Sequence, residues 1–470
     1  MKLWVLWFQC VWPLRAGCRR RRTYAWMVIA LIALCIRSDL AGVTSFVRAL
    51  DLRPEAYPVL LHLFHSSALD LDALTSCWVR LVLNLFTPFK VGDYIVCLAD
   101  GIKAPKEGLK MPAVKSLHQE SSTNSKPEYI MGHSLQAISL LVSGPTGHVT
   151  SVPLASRIHE GIVLSNRDRR TLLDKMVGLF LSLVTVSKQQ KVCLVADAYY
   201  ASRKVILPLL AEGHQLVTRA RVNAVAYYPA PQPSHRHRGR PRLYGEKVRL
   251  RDLAKEKSAF ESAPSPVYGE HNVTLRYRVL DLVWRPVGRL VRFVIVDHPL
   301  RGLIFLLASD TSLKPLEIIQ VYGYRFKIEV GFRQAVQVLG AYAYHFWMMD
   351  MVPIKRGSGN QYLHRQTEDY RNSVHRKIRA YHAYVQLACI AQGILLYLSV
   401  NHSALVWQSF RSYLRTMNPL QPPSELIVTH ALRSEAPEFI AGPACDPTIK
   451  KILEEYSRPD DGRACREAVA

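Results

Sequence analysis

Two short apolar runs, each followed by an acidic side chain, constrain the fold of this chain more than any other feature. Residues 94–100 end in Asp100, and residues 192–197 end in Asp197. Short apolar runs that contain valine, isoleucine and leucine are typical of buried strands. An aspartate at the end of such a strand is held firmly at the edge of a sheet. The two runs therefore predict an α/β core that carries both carboxylates at its edge.

A third acidic residue, Glu329, lies in a segment with helical spacing of its apolar residues. Residues 316–339 predict one long helix, with Phe332 and Val336 facing the core. Arg325 precedes Glu329 by four residues, so both side chains lie on the same side of that helix. Arg325 is therefore expected to pair with the carboxylate or to bind a phosphate.

Three carboxylates that converge suit a pair of divalent cations. Mg²⁺ prefers oxygen ligands, and two metal ions about 4 Å apart can activate an attacking oxygen and stabilise a leaving oxygen at a phosphodiester. Asp100 is the candidate bridging ligand, Asp197 would hold one ion, and Glu329 would complete the second site. Alone, each acid is more often a cap or a solvated side chain. Together they predict metal-dependent phosphodiester chemistry.

The charge of the chain points to a polyanionic partner. Its 470 residues include 61 Lys and Arg against 37 Asp and Glu, which gives a net charge of +24. Such an excess is typical of proteins that bind nucleic acid, although a basic protein without such a partner remains an alternative. Hydrophobic residues make up 49% of the chain, so a large core is expected and intrinsic disorder is excluded.

Several classes of site are absent from the sequence. The nine cysteines form no CxxC pair, which is typical of a reduced, cytoplasmic protein without a disulfide framework or a zinc site. No phosphate-binding loop with a Lys-Ser or Lys-Thr pair occurs, so ATP is not an expected ligand. His133 lacks recognisable triad partners and is interpreted as structural. Residues 24–36 predict a buried core helix, because the apolar run is shorter than the roughly 20 residues that span a bilayer. A membrane-associated protein is the alternative, but no stable membrane association is expected.

Five regions follow from the order of predicted elements. Residues 1–88 are predicted to be helical and to bind DNA ends, and residues 89–213 have the strand and helix order of a ribonuclease-H-like core. Residues 214–310 predict a β-rich antiparallel insertion, and residues 311–400 the helical second part of the core. Residues 401–470 are interpreted as a dimerisation region or as partly disordered. The expected fold class is therefore α/β, with a helical N-terminal region and an interrupted ribonuclease-H-like core.

Two groups of basic residues are candidate DNA contacts. Lys103 and Lys106 follow Asp100 closely and are placed to hold DNA beside the metal ions. A tract of turn formers and cations lies in the insertion, where a solvated loop is the alternative interpretation. Its arginines, which suit phosphates or a narrow minor groove, are Arg236, Arg238, Arg240 and Arg242.

The chain resembles the DDE transposases of bacterial insertion sequences, in the cut-and-paste group with an inserted β domain. The most specific stretches are residues 100–108, 195–200 and 322–332. The family's Tyr-Arg-Glu-Lys signature is met at Tyr322, Arg325 and Glu329. Its lysine position falls on Val336, so this chain departs from the pattern there, and Arg333 is the expected substitute.

The resemblance implies two Mg²⁺ or Mn²⁺ ions, terminal inverted repeats and target DNA as substrates, and a homodimer in the synaptic complex. Tyr322 and Arg325 would position the phosphate, and Trp284 would stack on a base flipped from the element end. It also implies a bacterial cytoplasmic protein that is nucleoid-associated when bound to DNA. Two alternatives stay open: a ribonuclease-H-like nuclease without strand transfer, and an inactive or regulatory DNA-binding relic.

Overall fold

A large mixed sheet forms the centre of the molecule in the computed structural model, which describes residues 2–119, 127–187, 190–231 and 242–458. Its strands, and those of a separate two-stranded pair formed by β7 and β16, are β1 Thr87–Pro88, β2 Lys90–Val91, β3 Tyr94–Pro105, β4 Lys115–His118, β5 Tyr129–Ser143, β6 Val149–Ile158, β7 Ile162–Val163, β8 Val192–Ala196, β9 Gln215–Arg219, β10 Val225–Pro229, β11 Tyr244–Arg249, β12 Glu261–Pro264, β13 Thr274–Trp284, β14 Arg289–His298, β15 Gly302–Ala308 and β16 Gln361–Tyr362.

The helices pack on the sheet and on one another. They are α1 Lys2–Val11, α2 Arg21–Ile36, α3 Thr44–Ala49, α4 Ala56–His65, α5 Leu71–Leu85, α6 Leu172–Val184, α7 Arg203–Ala211, α8 Leu250–Leu253, α9 Pro315–Gly323, α10 Phe326–Gln337, α11 Glu368–Asn401, α12 Ser403–Ser409, α13 Glu425–Ala441 and α14 Pro447–Tyr456.

The sheet runs in the order β6–β5–β3–β8–β9–β15–β14–β13–β10–β11. Strands β6, β5 and β3 are antiparallel, whereas β3, β8 and β9 are parallel. From β9 onward each strand pairs with its neighbour in antiparallel fashion. The region predicted as an inserted antiparallel sheet, residues 214–310, is therefore β-rich, but its strands extend the central sheet through the parallel pairing of β9 with β8.

The prediction that the first strand ends at Asp100 is wrong. β3 pairs with β8 only from Ile95 to Leu98, but its antiparallel pairing with β5 continues to Pro105. Asp100 thus lies in the middle of β3, just beyond the point where β8 stops. Asp100 therefore lies at an edge that forms because β8 stops at this level, while β3 itself continues.

The helix that was predicted over residues 316–339 is broken into α9 and α10. At the junction, Arg325 N–H donates to the Tyr322 carbonyl at 3.1 Å and Lys327 N–H to the Tyr324 carbonyl at 2.9 Å, which are bonds of a tightened turn. Gly323 contributes to the break because glycine disfavours a helix interior. Val336 is 46% exposed and does not face the core, contrary to the prediction. At 3.6 residues per turn it lies about 80° around α10 from the buried Ile328, whereas the buried Ala335 lies on the Ile328 side.

The apolar helices lie in the interior of the protein. Residues 24–36 of α2 are all buried, which confirms the predicted core helix. α11 alone among the described helices is long and apolar enough to cross a membrane, but 94% of its most apolar window is buried within the protein. α13 and α14 pack on α2. α13 and α14 lie within residues 401–470, the predicted dimerisation or partly disordered region, and are part of the folded core.

Candidate active site

The sheet brings Asp100 and Asp197 to the same place. β3 and β8 run parallel with Leu98 opposite Val195, so the two aspartates, each two residues further on, leave the paired region at the same level. The residues that precede them, from Val96 to Ala99 and from Val192 to Ala196, are buried. Burial of the strands fixes the backbone from which both carboxylates project.

Hydrogen bonds hold each aspartate in position. The Asp100 Oδ1 atom accepts from the Gly101 N–H at 2.8 Å, and the Asp197 Oδ1 atom accepts from the Tyr199 N–H at 3.0 Å. The Thr218 hydroxyl on β9 donates to the Asp197 carbonyl at 2.5 Å. Both carboxylates are thus oriented by groups of the sheet and of the turn that follows β8.

Gln136 and Tyr200 link the two aspartate segments, although neither was singled out in the sequence. The Gln136 Nε2 atom donates to the Asp100 carbonyl at 2.9 Å, and its Oε1 atom accepts from the Tyr200 hydroxyl at 2.9 Å. Both residues are buried, with 4% and 3% exposure. Tyr200 follows Asp197 by three residues, which is the only sequence signal that could have indicated it.

Arg325 joins the third acid to the first. Its guanidinium donates to Asp100 Oδ2 at 3.0 Å and to Glu329 Oε1 at 2.5 Å. The predicted pairing of Arg325 with Glu329 across one helical turn is therefore present. In addition, Arg325 connects α10 to β3, so Asp100 and Glu329 meet through one shared cation.

The electrostatics of Asp100 reflect this crowding. Burial raises the pKa of its carboxyl from 3.8 to about 6; Arg325 opposes the rise, while the charges of Asp197 and Glu329 add to it. Burial alone would lower the pKa of Arg325, but Asp100 and Glu329 outweigh it and raise that pKa. Asp197 and Glu329 therefore both act on Asp100, and Arg325 supplies the counter-charge of Asp100 and Glu329.

The donor set suits a hard divalent cation in kind, because it consists of carboxylate oxygens. Within the described ranges, however, no group of three or more His, Cys, Asp or Glu side chains lies close enough to hold a metal ion. Arg325 contacts two of the three acids in this conformation. A divalent cation would compete with the guanidinium for the same oxygens.

The other predicted contacts near the site differ in exposure. Tyr322 is half-buried beside Arg325, and burial raises the pKa of its hydroxyl. Arg333 is exposed on α10, where its Nε atom donates to Gln337 at 3.1 Å. Lys103 is exposed on β3 and donates to the His118 carbonyl at 2.6 Å. Since alternate strand residues face opposite sides, Lys103 does not share a face with Asp100.

Two predicted DNA contacts are buried, and the structure does not place them at a DNA surface. Lys106 is 4% exposed; its ammonium donates to the carbonyls of Tyr342 and Tyr344 and lies 3.8 Å from the centre of the Tyr344 ring. Trp284 is 8% exposed at the end of β13, where its ring packs in the hydrophobic core. The partners of Lys106 come from a distant part of the chain, which sequence patterns do not reveal.

The basic tract of the insertion is described only at its end. Arg236, Arg238 and Arg240 lie outside the described residues. Arg242 is exposed, and its Nε atom donates to the Tyr244 carbonyl at 2.8 Å. Arg242 is therefore the one predicted arginine of the tract whose placement the structure gives.

Replacing Asp100 by asparagine is expected to stabilise the metal-free protein at neutral pH. The pKa of Asp100 is higher in the fold, so the folded state binds the proton more tightly, and stability falls as pH rises from about 4 to about 6. Asparagine removes this cost, which amounts to about 3 kcal/mol above that window. Urea unfolding in EDTA should show the gain near pH 8 and none near pH 3. Asp252→Asn, at an exposed pair with Lys255, is the control, and an equal gain at both pH values would contradict the assignment.

Comparison with known proteins gives a family and a distant structural similarity. A family model described as DDE superfamily endonuclease matches residues 13–279. That range contains Asp100 and Asp197 but ends before Glu329. No curated protein matches the chain. A cryo-EM structure of the piggyBac transposase synaptic complex with hairpin DNA is similar over 93% of this chain and 76% of that one, with 11% identity and a TM-score of 0.37. Such values are too low to transfer residue roles.

Proposed function

Because this chain belongs to the DDE superfamily endonucleases, we propose that it is a DNA transposase, which cuts DNA at the ends of a mobile element and joins those ends to target DNA. The observation that carries the proposal is that Arg325 contacts both Asp100 and Glu329, while Asp197 leaves the neighbouring strand at the level of Asp100. Two of these acids come from neighbouring parallel strands and one from a helix. The net charge of +24 supports a DNA substrate.

The strand order supports a ribonuclease-H-like core as part of this proposal. Strands β6, β5 and β3 form an antiparallel unit, and β8 and β9 follow it in parallel on the side of β3. α10 packs against β3 and β6 and carries Glu329. A ribonuclease-H-like assignment thus accounts for the positions of all three acids.

Asp100, Asp197 and Glu329 would hold two Mg²⁺ or Mn²⁺ ions. When bound, the ions would activate the attacking oxygen and stabilise the leaving oxygen of the phosphodiester. The chain contributes the orientation of the carboxylates through Gly101 and Gln136 for Asp100 and through Tyr199 and Thr218 for Asp197. These contacts limit the freedom of both aspartates before DNA arrives.

Arg325 is proposed to bind the phosphate next to the bond that is cut. Its planar guanidinium can donate two parallel hydrogen bonds to a phosphate, as it now donates to two carboxylates. The half-buried Tyr322 beside it would hold the guanidinium in place. Arg325 would thereby offset the negative charge of Asp100 and Glu329 in the free protein, and that of the phosphate in the complex with DNA.

The proposed partners are terminal inverted repeats, target DNA and a second copy of the chain. Exposed cations at Arg333, Lys103 and Arg242 lie on surfaces that a duplex can reach. A bacterial cytoplasmic location, with the protein on the nucleoid when it is bound to DNA, belongs to the same proposal.

An inactive or regulatory relic is the second candidate, and one observation favours it. Val336 is 46% exposed at the position where the signature has a lysine, so a surface charge is missing there. Arg333 is exposed one turn earlier on the same helix and can supply a cation to DNA. Activity therefore depends on whether Arg333 replaces the missing lysine.

An assay for the joining of cut DNA ends to a target distinguishes the candidate functions. Labelled duplexes from both sides of the coding sequence of this chain would be incubated with the protein, Mg²⁺ and a supercoiled plasmid. Transfer of the label to the plasmid is expected for a transposase. Cutting without transfer indicates a nuclease of the same fold, and binding without cutting indicates the relic; either result contradicts the proposed function.

A further inference from the structure

A cavity of about 650 Å³ lies beside the candidate active site, and no role has been assigned to it. Gln136, which donates to the Asp100 carbonyl, and Tyr199, two residues after Asp197, both line it. Tyr199 is 53% exposed. The cavity therefore shares lining residues with the segments that position the two aspartates.

The cavity has an apolar wall of aliphatic side chains. Its members come from β6, from β7 and the residue after it, from α6 and from α11, and are Ile158, Ile162, Leu164, Leu179 and Ile378. All are at least partly exposed to solvent in the free protein. A wall of this kind favours a flat, weakly polar group.

The charged lining of the same cavity has an excess of cations. Its two carboxylates are already paired: Glu160 with Lys115 at 2.9 Å and Asp168 with Arg170 at 2.8 Å. Within the described ranges, the hydrogen bonds of Arg157 go to neutral oxygens, the Ser156 carbonyl at 3.0 Å and the Thr75 hydroxyl at 2.8 Å. Lys175 likewise donates to the His159 carbonyl at 3.0 Å.

Two basic side chains of the lining, Arg157 and His159, are partly buried. Burial lowers the pKa of the Arg157 guanidinium to about 10, although the charge of Asp72 acts in the opposite direction. The Nδ1 atom of His159 is buried and has no hydrogen-bond partner among the described residues. The cavity thus combines a surface for an apolar group with three cations, Arg157, Arg170 and Lys175, against two carboxylates among its described lining residues.

We infer that this cavity binds one unpaired nucleotide of the DNA strand that lies across the active site. Its base would lie on the wall formed by Ile158, Leu164 and Leu179, and its phosphate beside Arg157 and Lys175. The volume is within the range of sites for ligands of nucleotide size. The inference rests on the proposed function, since it takes the nucleotide from the DNA substrate.

Two substitutions probe the cavity without disturbing the core. Leu164 is 42% exposed, so Leu164→Asp places a repelling charge on the wall at little cost to folding. Lys175→Gln removes a cation and keeps a donor for the His159 carbonyl. The matched controls are Leu300→Asp, at an 80% exposed leucine, and Lys255→Gln, at an exposed lysine that pairs with Asp252.

The test compares two labelled DNAs by fluorescence anisotropy: a blunt duplex, and the same duplex with a short single-stranded 3′ extension. The wild-type chain is expected to bind the extended duplex about 5-fold or more tightly than the blunt one. Leu164→Asp and Lys175→Gln should remove most of this preference and leave blunt-duplex binding within about 2-fold, because the duplex contacts remain. The controls should retain the preference.

Three results would overturn the inference. Equal losses on both DNAs would make Lys175 a general phosphate contact. A wild-type chain without preference for the extension, but stabilised against heating by dAMP in a way that Leu164→Asp abolishes, would show that the cavity takes a free nucleotide. Binding of neither DNA by the wild-type chain would contradict the proposed function as well, and so is distinguishable from failure of the cavity assignment alone.

Discussion

Asp197→Asn is expected to reduce DNA cleavage in Mg²⁺ about 1,000-fold or more, because loss of a ligand to the metal ions removes several kcal/mol of transition-state stabilisation. Asparagine can still accept from the Tyr199 N–H, as Asp197 does at 3.0 Å, so the turn after β8 should keep its shape. The rate would be measured as single-turnover nicking of an element-end duplex.

The control for this variant is Asp252→Asn. Asp252 is an exposed residue of α8 that pairs with Lys255. It should cut at the wild-type rate. DNA affinity of Asp197→Asn, measured in parallel, should equal or exceed that of the wild-type chain, since a negative charge is lost. Cleavage that survives in Asp197→Asn would show that the reacting centre lies elsewhere.

Arg325→Gln is expected to slow cleavage about 100-fold or more, since a donor to the phosphate is lost where charge develops. The same change leaves Asp100 and Glu329 without the cation that both contact, at 3.0 and 2.5 Å. The pKa of Asp100, which Arg325 now lowers, should therefore rise further. This higher pKa of Asp100 should make the loss of cleavage rate smaller at high pH than near pH 6, because Asp100 in the variant ionises only as pH rises.

Arg48→Gln provides a matched control for Arg325→Gln. Arg48 also contacts a carboxylate, Asp39, at 2.7 Å, but the pair is exposed and lies in the helical N-terminal region. Its replacement should leave the cleavage rate and its pH profile unchanged. A pH-independent loss in Arg325→Gln would contradict the proposed coupling between Arg325 and Asp100.

The parts of the site that follow from local sequence could be predicted. Asp100 and Asp197 each follow a short apolar run of the sequence, and Arg325 and Glu329 are four residues apart at helical spacing, so short-range patterns indicated these residues. Even so, the end of the strand was misplaced at Asp100. Apolar character reports burial, and it does not report that pairing with β5 continues to Pro105.

The parts that depend on distant contacts could not be predicted. Gln136 orients Asp100 because β5 lies beside β3, and Lys106 is buried because Tyr342 and Tyr344 pack over it. No spacing in the sequence indicates either contact. Val336 was misplaced for a different reason: it follows the buried Ile328 by eight residues, and in a helix of 3.6 residues per turn that spacing does not return to the same side.

Binding of Mn²⁺ tests the central claim most directly, because it reports on the three carboxylates without DNA or turnover. Free Mn²⁺ would be titrated by electron paramagnetic resonance against the wild-type chain, the double variant Asp100→Asn with Asp197→Asn, and Asp252→Asn. We expect the wild-type chain and Asp252→Asn to bind Mn²⁺ alike, and the double variant to lose this binding. Equal binding by all three proteins would contradict the assignment of Asp100, Asp197 and Glu329 as the metal ligands.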